Sequence, residues 1–301
     1  MSTDPRQRRF DYAVLDLDGT LLDETGTITD ATVSGLRKLR SEGIVLFIAS
    51  GRSPYLVKLL DLGPQVLALF EPHMVLRDGD IIWNWHTDTV ESMRTVPDAV
   101  VPALAAHPFP DFVVDTGQRL LASSRRAATG HAFFYGCPRS WLTVADGPPA
   151  TPAAKVTIYA DAAAVLAALH GIDGYSFEAA PEGRRCSVVP AGSCKTAGLG
   201  KLLAHRYHEP TLARVIAFGD GGNDACLLSR AGAGVAMAVS DPDTARNATL
   251  QLTGSLGAYL NEDFPAGLDR TRGDTSGGAR HQHGRPAAAA AAPDGSAEPA
   301  G

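Results

Sequence analysis

The sequence predicts an α/β protein: a parallel sheet with helices on both faces, interrupted by an inserted α+β domain. Three observations carry that expectation. Nearly continuous apolar runs at 10–15 and 44–49 flank a stretch of helical periodicity, the strand–helix–strand order of a parallel sheet covered on both faces. Between about 80 and 185 the pattern changes to short alternating strands and helices. Beyond 186 the buried-strand runs resume.

The elements follow in order. Residues 10–15 form an apolar run too short for a helix. Thr29 and Asp30 offer an N-cap, Val33, Leu36 and Leu39 recur at helical spacing, and Gly43 closes the helix. A second strand at 44–49 leads to a helix at 53–62. In the insert, strands are expected at 112–115, 119–122, 155–160 and 175–178, a helix at 162–170, and a break at Gly147-Pro148-Pro149. Strand 186–189, helix 195–205, strand 214–218, helix 223–230 and strand 234–238 complete the series. The expected limits are 1–79 and 186–264 for the core, 80–185 for the insert and 265–301 for a tail. That tail is rich in Gly, Ala and Pro with few apolar anchors, so it cannot bury enough surface to offset its ordering entropy and is expected to be disordered.

Composition narrows the function classes. With 301 residues, 45% of them hydrophobic, the chain can build one large or two modest domains. A net charge of −6 without a basic, aromatic-interleaved stripe argues against a nucleic-acid partner. The polar, basic start has no apolar segment of signal-peptide type, and no long apolar span follows, so neither secretion nor a membrane is expected. Cys137, Cys186, Cys194 and Cys226 contain no C-x-x-C pair and read as reduced, partly buried small hydrophobes, suiting a cytoplasmic location.

The run Asp16-Leu17-Asp18-Gly19-Thr20, directly after the first strand, carries the strongest chemical signal. Carboxylates at i and i+2 leave a strand end on one side and repel unless a cation sits between them, which points to Mg²⁺. A calcium loop would need a carboxylate at its twelfth position, where Thr27 stands. Four further islands fall where strands of the sheet should end, the edge at which open α/β sheets bind ligands. Ser50-Gly51-Arg52 offers a hydroxyl and backbone N–H groups for an anion, and reads equally as an N-cap and turn. Gly219-Asp220-Gly221-Gly222-Asn223-Asp224 adds two carboxylates beside a helix start, favouring a metal over a plain N-cap. Lys195 opens a helix. A P-loop is excluded because Cys194 stands where glycine is required. Arg77-Asp78-Gly79-Asp80 reads most simply as a β-turn.

In this order, these motifs resemble the haloacid dehalogenase superfamily of phosphatases. The insert between the Ser50 and Lys195 motifs resembles the Cof-type branch with a type-two (α+β) cap, the likeness spanning residues 10–261. The resemblance implies a Rossmann-like core and a small phosphorylated metabolite as partner. It makes Asp16 the nucleophile of an aspartyl-phosphate, and Asp18 the general acid and then base. Ser50 and Lys195 would hold phosphoryl oxygens, with Gly51 and Asn223 adding contacts. Asp16, Asp220 and the Asp18 carbonyl would ligate Mg²⁺, with Asp224 supporting that shell. Family members often carry Asn-Gly-Ala where Asp78-Gly79-Asp80 stands, so Asp78 either alters substrate fit or only keeps the turn.

Arg52, Asp78, Glu178 and Arg184 are the candidate substrate contacts; Arg184-Arg185 meets a second anionic group or is simply a solvated pair. The insert also offers Trp83, Trp85, Tyr135 and Trp141, although most aromatics in such a domain pack. Within the branch the expected substrate is a sugar or cyclitol (pseudo-sugar) phosphate. A phosphorylated cofactor or riboflavin precursor is an alternative, as is a phosphomutase reaction through the same aspartyl-phosphate.

Overall fold

The computed structural model describes residues 9–107, 111–147, 152–180 and 183–264. The expected disordered tail lies outside the described residues, as does most of the Pro-rich break. In chain order the strands are β1 (Tyr12–Leu15), β2 (Val45–Ile48), β3 (His73–Leu76), β4 (Ile81–Asn84), β5 (Thr89–Met93), β6 (Phe112–Asp115), β7 (Leu120–Ala122), β8 (Leu142–Val144), β9 (Lys155–Ile158), β10 (Tyr175–Ala179), β11 (Cys186–Pro190), β12 (Val215–Gly219), β13 (Ala233–Ala236) and β14 (Leu250–Gln251).

β1 lies inside a five-stranded parallel sheet of order β14-β13-β12-β1-β2. Both faces are apolar, which is why its strands read as continuous hydrophobic runs. Ala13, Leu15, Leu46, Ile48, Ile216 and Phe218 face Leu36 and Leu39 of the helix Asp30–Ser41. Val14, Phe47, Val215 and Ala217 face Leu199, Leu202 and Leu203 of the helix Lys195–Tyr207. Leu15 is in register with Phe218 on one side and Ile48 on the other, so the residues after all three strands emerge along one edge. The helix Asp30–Ser41 begins as expected, with Thr29 Oγ1 accepting the N–H of Thr32 at 3.2 Å.

β3 joins this edge through a parallel bridge between Ala49 and Val75, then turns into the antiparallel β3-β4-β5 sheet. The turn at Arg77–Gly79 packs against the start of the helix Lys195–Tyr207. A Cβ on Gly79, whose φ is +96°, would lie 2.1 Å from the Cys194 carbonyl oxygen. Only glycine lets that helix start come so close.

The inserted region forms a six-stranded sheet of order β10-β11-β9-β6-β7-β8. One face, with Phe112, Val114, Val156, Ile158 and Val188, packs on the helices Val100–Ala106 and Ala162–Ala168. The alternate residues Asp115, Lys155, Thr157 and Ser187 lie on the other face. Toward β7 that face becomes apolar and meets Tyr55 and Leu59 of the core.

Strand pairing near the two ends of the insert is as follows. Ile81–Asn84 pairs antiparallel with β3 and Thr89–Met93 pairs with Ile81–Asn84 in turn, and Ile81 and Trp83 pack into the core cluster. Cys186–Pro190, expected to reopen the core at 186, instead pairs antiparallel with β9 and β10. A short apolar strand spells the same in a one-sided and a two-sided sheet, so the sequence does not separate the two. The two connections between core and insert are tied together by Arg94. It donates to Asp80 at 2.9 Å and to the carbonyls of Ala191 and Gly192 at 2.5 and 3.3 Å, while Ser193 donates to the other Asp80 oxygen. The expected helix 53–62 shortens to Pro54–Lys58, with a separate short helix Pro64–Leu67 after it; the helices Val100–Ala106 and Arg125–Tyr135 are not among the expected elements.

Candidate active site

The carboxyl edge of the parallel sheet gathers four charged side chains from three elements. Asp16 follows β1, Asp220 and Asp224 follow β12, and Lys195 opens the helix Lys195–Tyr207. Lys195 is fully buried, and its Nζ donates to Asp16 Oδ1 at 2.6 Å and Asp224 Oδ1 at 2.7 Å. The other Asp224 oxygen accepts the backbone N–H groups of Asp220 and Gly221, each at 3.1 Å. Asp220 accepts the Thr20 hydroxyl at 3.0 Å and packs against Gly19, where a Cβ would fall 2.3 Å from Asp220 Oδ2. One oxygen each from Asp16, Asp220 and Asp224 lies within 4.8 Å of the others.

Burial and mutual repulsion perturb the charges of this cluster. Burial pushes the Asp16 carboxyl up to about 7, Lys195 opposing the rise and Asp224 adding to it. Burial also raises Asp220, against the Thr20 hydroxyl bond. Lys195 is held above its ordinary value: the two carboxylates outweigh the cost of its burial. Three carboxylates around one ammonium leave net negative charge in a buried place. An all-oxygen donor set with that charge fits Mg²⁺, which prefers a few carboxylates completed by water and phosphate.

Asp18 is placed differently from the strand-alternation argument. β1 ends at Leu15 and Gly19 turns at φ +71°, so period two does not extend to Asp18. Its carboxylate lies outside the acidic cluster and is gripped by Arg52, Nε to Oδ2 at 2.7 Å and an Nη to Oδ1 at 2.6 Å. Ser50 is buried, and its Oγ accepts the N–H of Arg52 at 3.2 Å. Gly51 lies beside Asp78 and Asn223, which bond to each other, Asn223 Nδ2 to Asp78 Oδ1 at 2.7 Å. Asp78 takes a left-handed φ of 51°, and its N–H reaches the Ser50 carbonyl at 3.2 Å. The turn therefore braces the Ser50 loop as well as reversing the chain.

The candidates from the insert divide. Glu178 and Arg184 are exposed. Trp83 lies in β4 and Trp85 just beyond its end, their indole N–H groups bonded to Asp88 and the Glu71 carbonyl. Trp141 packs on Tyr55. Sequence reasoning missed a polar group on the insert's second face. Asp115 pairs with Arg77 of the core, and Lys155 lies opposite Asp115 in the β6–β9 register. Burial, with Arg77 adding to it, lowers the Lys155 ammonium to about 8. Arg185, not Arg184, joins this side, stacking on Phe134 and donating to the Tyr135 hydroxyl at 3.4 Å. Thr20 was readable in the first motif; Lys155 was not, because only the register brings it to the core-facing side.

The haloacid dehalogenase-like hydrolase profile matches residues 13–107 and 153–255, and the chain belongs to that family. It is 24% identical over 246 residues to YkrA of Bacillus subtilis (strain 168), whose name carries the word phosphatase; the match covers 76% of this chain and 86% of YkrA. A haloacid dehalogenase-like hydrolase from Bacteroides thetaiotaomicron superposes with a TM-score of 0.66 at 24% identity, covering 83% of this chain and 98% of that one. The subclass IIB sugar phosphatase BT4131 superposes with a TM-score of 0.59 at 21% identity, covering 80% and 92%. These likenesses establish the fold, parallel core and inserted sheet together. Among the described residues no helix is long and apolar enough to cross a membrane.

Proposed function

We propose that this chain is a Mg²⁺-dependent phosphomonoesterase acting on a small phosphorylated metabolite, of the sugar-phosphate class, through an aspartyl-phosphate on Asp16. The observation that carries the reading is the buried Lys195 ammonium bridging Asp16 and Asp224 beside Asp220 at the sheet's carboxyl edge. YkrA's name and the sugar-phosphatase neighbour support the same class.

Phosphoryl transfer asks for an in-line nucleophile, charge neutralisation and protonation of the leaving group. Asp16 supplies a carboxylate oxygen, and aspartate is a good leaving group afterwards, dividing one hydrolysis into two easier steps. Lys195 holds Asp16 in place and offers positive charge to the transferring group, with Ser50, Gly51 and Asn223 at its rim. Asp18, oriented by the Arg52 fork, protonates the leaving oxygen and then takes a proton from water. Asp16, Asp220 and the Asp18 carbonyl, with Asp224 behind them, would hold Mg²⁺, which would supply neutralisation of phosphoryl charge.

The test is a panel of phosphorylated metabolites assayed for released phosphate with and without Mg²⁺. Hydrolysis of sugar phosphates that stops on chelation and returns with Mg²⁺ is expected; metal-independent release, or none from any monoester, contradicts the reading. Asp220→Ala should raise the Mg²⁺ requirement at least about tenfold, the scale of losing a supporting group at a metal site, read from the Mg²⁺ dependence of rate.

The insert's polar face supports recognition of the leaving group. Among the described residues no hydrogen bond or ion pair fixes the Lys155 ammonium, which leaves it available to substrate oxygens. Lys155→Ala should lower kcat/KM about 10- to 100-fold for the sugar phosphate, the loss of one charged hydrogen bond of about 1.5–3 kcal/mol. It should change p-nitrophenyl phosphate turnover little. Equal losses on both substrates would remove Lys155 from specificity.

A further inference from the structure

Cys194 and Cys226, 32 residues apart in sequence, bring their Sγ atoms to 2.9 Å. Both are free thiols and half-buried. They occupy a mechanically sensitive place. Cys194 caps the helix Lys195–Tyr207 immediately before Lys195, and Cys226 lies in the helix Ala225–Arg230, two residues beyond Asp224. Thr196 donates to Cys226 Sγ at 3.4 Å, adding a second contact between the two helix starts. The other cysteines, Cys137 and Cys186, are buried in separate clusters of the insert.

We propose that Cys194 and Cys226 form an oxidisable pair, a modification site at which a peroxide converts two thiols into one disulfide behind the Lys195–Asp224 ion pair. One sulfur, as thiolate, attacks a peroxide oxygen; the O–O bond breaks, a sulfenic acid forms and the first water leaves. The second sulfur attacks the sulfenyl sulfur, the S–S bond forms, and the S–O bond breaks with loss of a second water that carries away a thiol proton. Two electrons pass from the sulfurs to the peroxide, and a dithiol reductant returns them.

A disulfide spans about 2.0 Å, so oxidation draws the two Sγ atoms together from 2.9 Å and pulls on the helix starts that carry them. Lys195 and Asp224 lie next to the parts that move. A misplacement of about 1 Å in a catalytic array costs about 10²-fold in rate. The effect on turnover rests on the phosphatase reading above; the bond itself does not.

The full-length chain is treated with stoichiometric hydrogen peroxide, and its mass, non-reduced peptide map and phosphate release are followed before and after dithiothreitol. One disulfide joining the Cys194 and Cys226 peptides is expected, with turnover about 10²-fold lower and restored by dithiothreitol. The double variant Cys194→Ser/Cys226→Ser keeps its reduced activity and is not slowed by peroxide; Cys226→Ala serves if the double variant fails to fold. Free or singly over-oxidised Cys194 and Cys226 after peroxide overturns the pair, and a formed disulfide with unchanged turnover overturns its coupling to Lys195. If reduced wild type hydrolyses no phosphomonoester, the proposed function fails while the peptide map still decides the pair.

Discussion

Asp16→Asn is expected to lower kcat by about 10⁴-fold or more while leaving the protein folded, because it removes the oxygen that attacks phosphorus and exchanges little volume. Its stability should carry a distinctive pH signature. Burial holds the Asp16 carboxyl at about 7 against an ordinary value of 3.8. The folded chain therefore binds more protons than the unfolded chain between those values. With a raised folded pKa, the cation-free protein loses stability as pH climbs through this window. Asn binds no such proton, so the Tm of the variant should vary less between pH 4 and 7 than that of wild type. Thermal melts in chelator across that range, together with phosphate-release assays, check both parts. A variant keeping more than about 1% of wild-type turnover would remove Asp16 from the nucleophile's role, since a lost nucleophile costs orders of magnitude more.

Lys195→Met should damage both activity and fold. The ammonium is fully buried between two carboxylates at 2.6 and 2.7 Å. Removing one partner of a buried ion pair costs about 3–5 kcal/mol, because the remaining charges have no partner. For a chain of this size that corresponds to a Tm about 10 °C lower. Turnover should fall about 10²- to 10³-fold or more, the cost of losing one donor to a developing anion. Met preserves the volume, so a large Tm loss is attributable to charge rather than to a cavity. Lower pH should recover part of the stability by protonating Asp16. Differential scanning calorimetry at pH 5 and 8 measures this; equal melting of variant and wild type at pH 8 would contradict the ion-pair geometry.

The parallel core was legible because its central strands are apolar on both faces and short enough to exclude helices. The acidic edge was legible for a related reason: Asp16 and Asp220 follow the apolar runs directly, so strand ends and motifs coincide in sequence. The Asp18–Arg52 fork was not, since it depends on how Gly19 turns the chain after a strand that stops at Leu15. Cys186–Pro190 has the spelling of a core strand, and only its antiparallel partners reveal its pairing. Cys194 and Cys226 looked separate for the same reason as Lys155 looked ordinary. Each acquires meaning from a neighbour that helix packing or strand register supplies, and no spacing rule encodes that neighbour.

The most direct test of the proposed chemistry uses Asp18→Asn, which lacks the base that drives hydrolysis of the intermediate, and p-nitrophenyl phosphate, whose leaving group needs no acid. Rapid acid quenching followed by peptide mass analysis should recover a phosphoryl group on the peptide containing Asp16, at the carboxylate that Lys195 bridges to Asp224. Phosphate released with no phosphoryl-enzyme formed, or the phosphoryl group recovered on any other residue, would contradict nucleophilic attack by Asp16.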